Sequence, residues 1–291
     1  MSQIISNKEA IASVRNNRII MADADSFEMP GSEISFEGEG NILFIDKNVT
    51  LKNSKIRFNA DNAVVYLSET EYPYLLDIMV NNNCICWLGR DGYYNGILHI
   101  ICSEGKSVFI GNAPLMSFNI WIRTADTHLV YSIDTKERIN PSKSIFIGDH
   151  VWIGQGAFIL KGSRIHSGSI LGAGSVLTGK KVSSNTTFAG NPARQIAEGI
   201  FWDPACVHKW TEADTENMSH YKEKVHWVYH TDKKTLSFDD IERELAELST
   251  ADEKLGYLKA LSQNADRNRF ACGKTYGKKK RKLWTRILRS R

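Results

Sequence analysis

The chain has 291 residues, 42% of them hydrophobic and 24% charged, the balance of an ordinary globular protein with one large domain or one domain plus a tail. No stretch reaches the roughly 18 uninterrupted apolar residues of a membrane span, and "MSQIISNKEAIASVRNNRII" lacks the basic patch and apolar run of a cleaved signal. Net charge is +4, but residues 278–291, "KKKRKLWTRILRSR", hold eight basic and no acidic side chains, which leaves the remainder at −4. Attraction to acidic partners is thereby confined to the tail, and with no recognisable nucleic-acid fold, DNA binding is disfavoured. The expected setting is cytoplasmic, with peripheral attachment at the inner face of the membrane as the alternative.

In chain order, residues 1–31 form a lead-in. Residues 40–67, "GNILFIDKNVTLKNSKIRFNADNAVVYL", place Ile45 and Leu51 six apart, with Val64 two coils on if one residue is inserted. Irregular coils are expected between 68 and 97, after which Ile110, Met116 and Ile122 resume the period and His128 falls on the next step. Residues 129–144, "LVYSIDTKERINPSKS", are polar with Pro and Asn, and must leave the coil as a loop. From residue 147 the chain divides into "IGDHVW", "IGQGAF", "ILKGSR", "IHSGSI", "LGAGSV" and "LTGKKV". A sixfold period with Gly-rich corners suits neither a helix nor an alternating strand; it is the signature of a hexapeptide β-helix over about residues 32–196. The leading Ile or Leu points into a narrow prism and the Ser or Ala at the fifth place fills its corner.

Beyond residue 196 the period stops. "FWDPACVHKWTEADTENMSHYKEKVHWVYH", residues 201–230, is aromatic-rich and either caps the prism or contributes to an acceptor groove. Residues 237–249 carry Ser237 and Asp240 in a capping-box-like arrangement with apolar residues at helical spacing, and "ADEKLGYLKALSQ" reads as a second helix, the two forming a hairpin. The extension spans 197–270 and a basic tail 271–291, which forms either an amphipathic helix for an anionic membrane surface or export machinery, or a solvated end. The five cysteines (Cys84, Cys86, Cys102, Cys206, Cys272) are odd in number and make no CxxC pair, so they read as buried small hydrophobes.

"TADTH", the insertion with "RIN", "IGDHVWIG", "GAGSV" and "AGNPAR" together resemble the left-handed β-helix (hexapeptide) acyltransferases, most nearly the bacterial O-acetyltransferases of capsular polysaccharide, including sialic-acid capsules. The resemblance implies a mainly β fold, a left-handed parallel β-helix with a protruding loop and a small helical C-terminal extension. It also implies a homotrimer with sites between subunits, acetyl-CoA as co-substrate, no metal, and a polysaccharide or oligosaccharide acceptor. A sugar hydroxyl needs a base, and imidazole titrates near the working pH. His128 is therefore expected as that base; Asp126 either orients the ring or satisfies the turn. Trp152 lines the site in the resembling enzymes, with Gly154 and Gln155 beside it. For acetyl-CoA, Gly172 and Gly174 would let a pantetheine arm lie close, and the resemblance implies that the Ala173 amide contacts it and that Arg194 meets the phosphates, for which its planar fork is suited. The family places a lysine directly after Thr178, where this chain has Gly179, so the role falls to either Lys180 or Lys181. Some β-helix trimers bind zinc through three histidines, but His128, His150 and His166 lack that spacing, and the last two are expected at the surface. No Ser-His-Asp or Cys-His set marks an acyl-enzyme route. The alternatives are acetylation of a small acceptor (an amino sugar, antibiotic or amino acid) and a non-catalytic β-helix scaffold.

Overall fold

The structure is a computed structural model that describes residues 2–224 and 227–274. Short strands stack coil upon coil into a parallel β-solenoid of about seven turns, the architecture expected of the left-handed prism, with a small helical C-terminal part. The chain winds repeatedly through three sheets. The first sheet runs from Glu33–Phe36 through Lys55–Phe58, Leu76–Val80, Leu98–Cys102, Ile120–Arg123 and Phe158–Leu160 to Val176–Thr178, with Gln3–Ile5 added antiparallel. The second begins at Arg18–Met21 and ends at Lys181–Val182; the third begins at Tyr93–Tyr94 and ends with the antiparallel pair Thr186–Ala189 and Arg194–Glu198.

The hexads behave as expected where they are strict. Ile147, Ile153, Ile159, Ile165, Leu171 and Leu177 are at most 1% exposed, as are Ile110, Met116 and Ile122. Three expectations about the earlier coils change. The parallel ladder already pairs Arg18–Met21 with Ile42–Ile45, so it starts inside the segment taken as lead-in. The coils between 68 and 97 are regular, with Leu76 against Leu98 and Ile85 against Ser107. Val64 faces outward; Val65 and Leu67 point into the prism. The reason is coil length: Ile45 pairs with Leu67, 22 residues on, whereas Trp152 pairs with Ile170, 18 residues on. The extra residues sit at corners, where Asn48, Asn53, Asn62 and Asn83 take left-handed backbone conformations that Asn tolerates.

The second sheet is buried on both sides. Its outer residues Ile42, Phe44, Val64, Tyr66, Ile85, Trp87, Phe109 and Phe146 form a second core with Phe238, Ile241, Leu245, Leu255, Leu258, Leu261 and Phe270. Those last residues come from the C-terminal extension, where helix α1 (Glu212–Asn217) is followed by α2 (Phe238–Ala246) and α3 (Ala251–Gln263). Ser237 caps α2 by accepting from the Asp239 and Asp240 amides, and Thr250 and Glu253 form a reciprocal capping box on α3. Both helices lay their apolar sides on the second sheet. Burial of each large apolar side chain there contributes about 1.5–3 kcal/mol.

The segment after α3 is clasped to the prism. The Arg269 guanidinium, 1% exposed, holds Asp149 through two hydrogen bonds of 2.9 and 2.8 Å and donates to the Asn264 carbonyl at 2.7 Å. Two histidines expected at the surface lie beneath this extension: His150 is 2% and His166 6% exposed. The His150 ring is sandwiched between Trp202 and Trp227, each centroid 3.8 Å away. Cys84, Cys86 and Cys102 are buried as expected, but Cys206 is exposed and Cys272 partly so, because both lie outside the prism. The basic stretch 278–291 lies outside the described residues. Among the described residues no helix is long and apolar enough to cross a membrane.

Candidate functional site

The loop 129–144 departs from the corner between the first and second sheets, after Ile120–Arg123 and before Ile145–Ile147. Asn140 ties its two ends together. Its side-chain oxygen accepts from the Val130 amide at 2.9 Å, while its amide nitrogen donates to the His128 carbonyl at 2.8 Å and to Asp126 Oδ2 at 3.1 Å. The Lys161 ammonium, one coil on, donates to Asp126 at 2.6 Å and to the Asn140 carbonyl at 3.1 Å. The hydrogen bond from Lys161, followed by that from Asn140, holds the Asp126 carboxyl below its usual range. Asp126 thus braces the loop root, its hydrogen bonds going to Asn140 and Lys161 rather than to the His128 ring.

A second brace lies on the other strand of the loop. Arg138 grips both oxygens of Glu104 at 2.6 and 3.0 Å, and the Ser142 hydroxyl donates to the same carboxylate. These bonds, the arginine's first, pull the Glu104 carboxyl down to about 2. The rest of the loop projects: Leu129, Val130, Tyr131, Ile133 and Ile139 are all exposed. His128 itself is exposed at the root. Sequence reasoning missed Glu104, Arg138, Asn140, Ser142 and Lys161 as anchors; the only signal was the "RIN" run inside an otherwise polar insertion.

Trp152 stands elsewhere, on the third sheet, 39% exposed, its indole N–H directed at Ser117 Oγ at 3.4 Å. Just beyond it, at the corner between the third and first sheets, Gln155 and Ala173 are exposed and form a ledge. Successive coils approach closely there: a Cβ on Gly154 would lie 2.5 Å from the Ala173 nitrogen, and one on Gly172 2.9 Å from the Ala189 Cβ. Gly156 and Gly174 take left-handed conformations with open space around them. The amides of Gln155 and Ala173 make no backbone hydrogen bond among the described residues, whereas those of Gly154, Gly156, Gly172 and Gly174 do. Arg194 lies at the far end of the same corner, exposed, next to Ala193, whose amide donates to the Val176 carbonyl. A flat ledge of unused donors ending in an arginine fits an amide-bearing arm followed by phosphates.

Thr178, Lys180 and Lys181 are not on that ledge. They sit at the end of the first sheet and the next corner, and Lys181 lines a cavity of about 300 Å³ with Arg164, His166 and Phe238 beneath α2. The structure therefore brings Trp152, Gly154, Gln155, Gly172, Ala173 and Arg194 together, and places His128 with Asp126 at the opposite edge of the first sheet. Among the described residues no group of three or more His, Cys, Asp or Glu side chains is arranged to hold a metal ion.

Comparison with known proteins places the fold among known ones. The bacterial transferase hexapeptide (six repeats) family model matches residues 144–179. A polysialic acid O-acetyltransferase from Neisseria meningitidis is 28% identical over 121 residues, 41% of this chain and 55% of that protein, so the match spans about half of the curated relative. The crystal structure of the polySia-specific acetyltransferase NeuO superposes with a TM-score of 0.59 at 25% identity, covering 70% of this chain and 93% of that one. The polysialic acid O-acetyltransferase OatWY gives 0.57 at 25% identity, with 71% and 97% covered. The hexads, the solenoid they build and these matches make the chain similar to the hexapeptide transferases and, among them, to polysialic acid O-acetyltransferases.

Proposed function

We propose that this chain is an acetyl-CoA-dependent O-acetyltransferase acting on a sugar hydroxyl of a surface polysaccharide, and that its site is completed between copies in a homotrimer. The observation that carries the reading is the ledge of close-packed backbone beside Trp152, ending at Arg194. Acetyl-CoA supplies the activated acetyl group there. His128 takes the proton as the acceptor hydroxyl attacks the thioester carbonyl; the C–S bond breaks and the proton passes to the leaving thiolate. The similarity to two polysialic acid O-acetyltransferases over about 70% of the chain supports the same reading.

One copy holds the two halves of this site apart by the width of the first sheet. A cyclic arrangement with that sheet facing the axis sets the loop corner of each copy against the ledge corner of the next. The outer surface of the sheet suits such contact. His99 stacks on Trp121 at 4.1 Å, Trp121 pairs with Phe158 and Phe158 with Val176, and Phe158 is 40% exposed. The exposed apolar residues of the loop find a partner surface in the same arrangement.

Thiol release from acetyl-CoA, measured with a panel of polysaccharides, oligosaccharides and free sugars, tests the reading. His128→Ala is expected to lower acceptor-dependent release by roughly 10²–10⁴-fold while acetyl-CoA still binds. An active His128→Ala protein contradicts the assigned base, and absence of acetyl-CoA binding by the unsubstituted protein contradicts the activity.

A further inference from the structure

Of the three faces of the prism, the second is covered by α2 and α3 and the first is assigned above to contact between copies. On the third, Trp202 of the C-terminal extension packs beside Trp152 with ring centroids 6.1 Å apart, while the coils before it carry no such cover among the described residues, and one in-register column runs along the face: Tyr93 pairs with Leu115, Leu115 with Trp152 and Trp152 with Ile170. Their strand neighbours Tyr94, Met116, Ile153 and Leu171 are the buried residues, so this column faces outward. Tyr72 extends it by one coil, meeting the Tyr93 ring edge-on at 4.8 Å and 88°. Tyr72 is 45% and Tyr93 41% exposed, and no other described segment covers either.

Beyond Tyr72 lies an open groove of about 700 Å³, lined by Glu69, Glu71, Asp91, Thr50 and Thr70, with Lys52 the only lysine in the lining. Glu69 is already engaged by Lys47 at 3.5 Å and by the Asn48 side-chain Nδ2, which donates to it at 2.8 Å. Burial, and then the charges of Glu71 and Glu69, hold the Asp91 carboxyl above its usual range, and the lining carries three carboxylates against one lysine. Flat rings leading into hydroxyls and carboxylates match a ligand that offers C–H faces for stacking and O–H donors for carboxylate acceptors. A polymer with a carboxylate on every residue would meet the three carboxylates of the lining against the single Lys52.

We propose that the third face is the acceptor track and that the acceptor is an uncharged, hydroxyl-rich glycan, stacked on Tyr93 and Tyr72 and ending in the groove at Glu71 and Asp91. The inference rests on the acetyl-transfer reading, places the reacting hydroxyl near Trp152, and separates this chain in substrate from relatives named for polysialic acid.

The test uses the full chain with dextran, amylose and galactan oligosaccharides as neutral probes and polysialic acid oligomers as the anionic one. Acetyl transfer is expected with a lower KM for at least one neutral probe than for polysialic acid. Tyr93→Ala and Tyr72→Ala should each raise that KM by about tenfold with little change in kcat, the order of one lost aromatic contact. Tyr93→Phe, which keeps the ring, should behave as the unsubstituted chain, and Glu71→Lys should narrow the gap between neutral and anionic probes. Preference for polysialic acid, failure of every neutral probe, or a KM indifferent to both tyrosine-to-alanine changes overturns the proposal. Calorimetry with acetyl-CoA alone separates the two levels: binding with the wrong acceptor preference removes only the track, whereas no binding removes the activity beneath it.

Discussion

Acidification should loosen the C-terminal extension in a window set by two buried histidines. His150 lies between Trp202 and Trp227, with Asp203 and Arg267 nearby, and its Nε2 meets the Trp202 carbonyl at 3.1 Å. His166 packs against Phe238 at 4.7 Å, near Arg164, Lys181 and Asp239; its Nδ1 meets the Phe270 carbonyl at 3.3 Å and its Nε2 is buried without a partner. Burial is the main cause that pushes both rings down to about 4. An unfolded histidine titrates near 6.5, so between about 4 and 6.5 the unfolded chain binds more protons than the folded one. The stabilisation is fully present above about 6.5 and is lost as pH falls towards 4. The gap is worth about 3 kcal/mol per ring when complete, and about 2 kcal/mol of it is lost by pH 5. Urea titrations followed by tryptophan fluorescence from pH 7.5 to 4.5 should show the midpoint falling steeply below 6.5. In a His150→Phe, His166→Leu double variant the fall should flatten, because neither replacement can bind a proton. Equal slopes in the two proteins would refute the reasoning.

Two further outcomes follow from named contacts. Arg269→Ala leaves the Asp149 carboxylate without its cation and should destabilise the docked extension by about 3–5 kcal/mol, read as a lower melting temperature and earlier proteolysis after residue 197. Asp149→Asn combined with Arg269→Met should recover much of that loss. Asn140→Ala removes the link between the two ends of the loop, and acceptor-dependent kcat should fall by about 10- to 100-fold with acetyl-CoA affinity retained; an unchanged kcat would show that the loop root is set by other contacts.

The prism was legible because a narrow interior repeats one demand every sixth residue, and Ile147 through Leu177 meet it without exception. The earlier coils were read less well because their corners carry extra residues, so the count from Ile45 lands on Val64 where the ladder needs Leu67. A better signal was present in "ILFI", "VVYL" and "ICWL", continuous apolar runs that mark strands buried on both faces. Such runs call for a cover, and the cover is α2 and α3, more than 100 residues later in the chain. The same docking explains His150 and His166: their place in the repeat is a variable outward one, and only the later aromatic segment buries them. Of the candidate site, the ledge from Gly154 to Arg194 is a local consequence of glycine spacing. The separation of His128 from Trp152 is not, since it depends on which corner the 129–144 loop occupies.

Subunit complementation tests the central claim most directly. His128→Ala and Trp152→Ala chains are purified separately, unfolded, mixed in equal amounts and reassembled, and thiol release is measured against each parent reassembled alone. If His128 of one copy works on the ledge of the next, each parent is nearly inactive, while the mixture regains roughly a quarter of the unsubstituted activity, the share of sites pairing an intact His128 with an intact Trp152. A mixture no more active than its parents contradicts a site shared between copies.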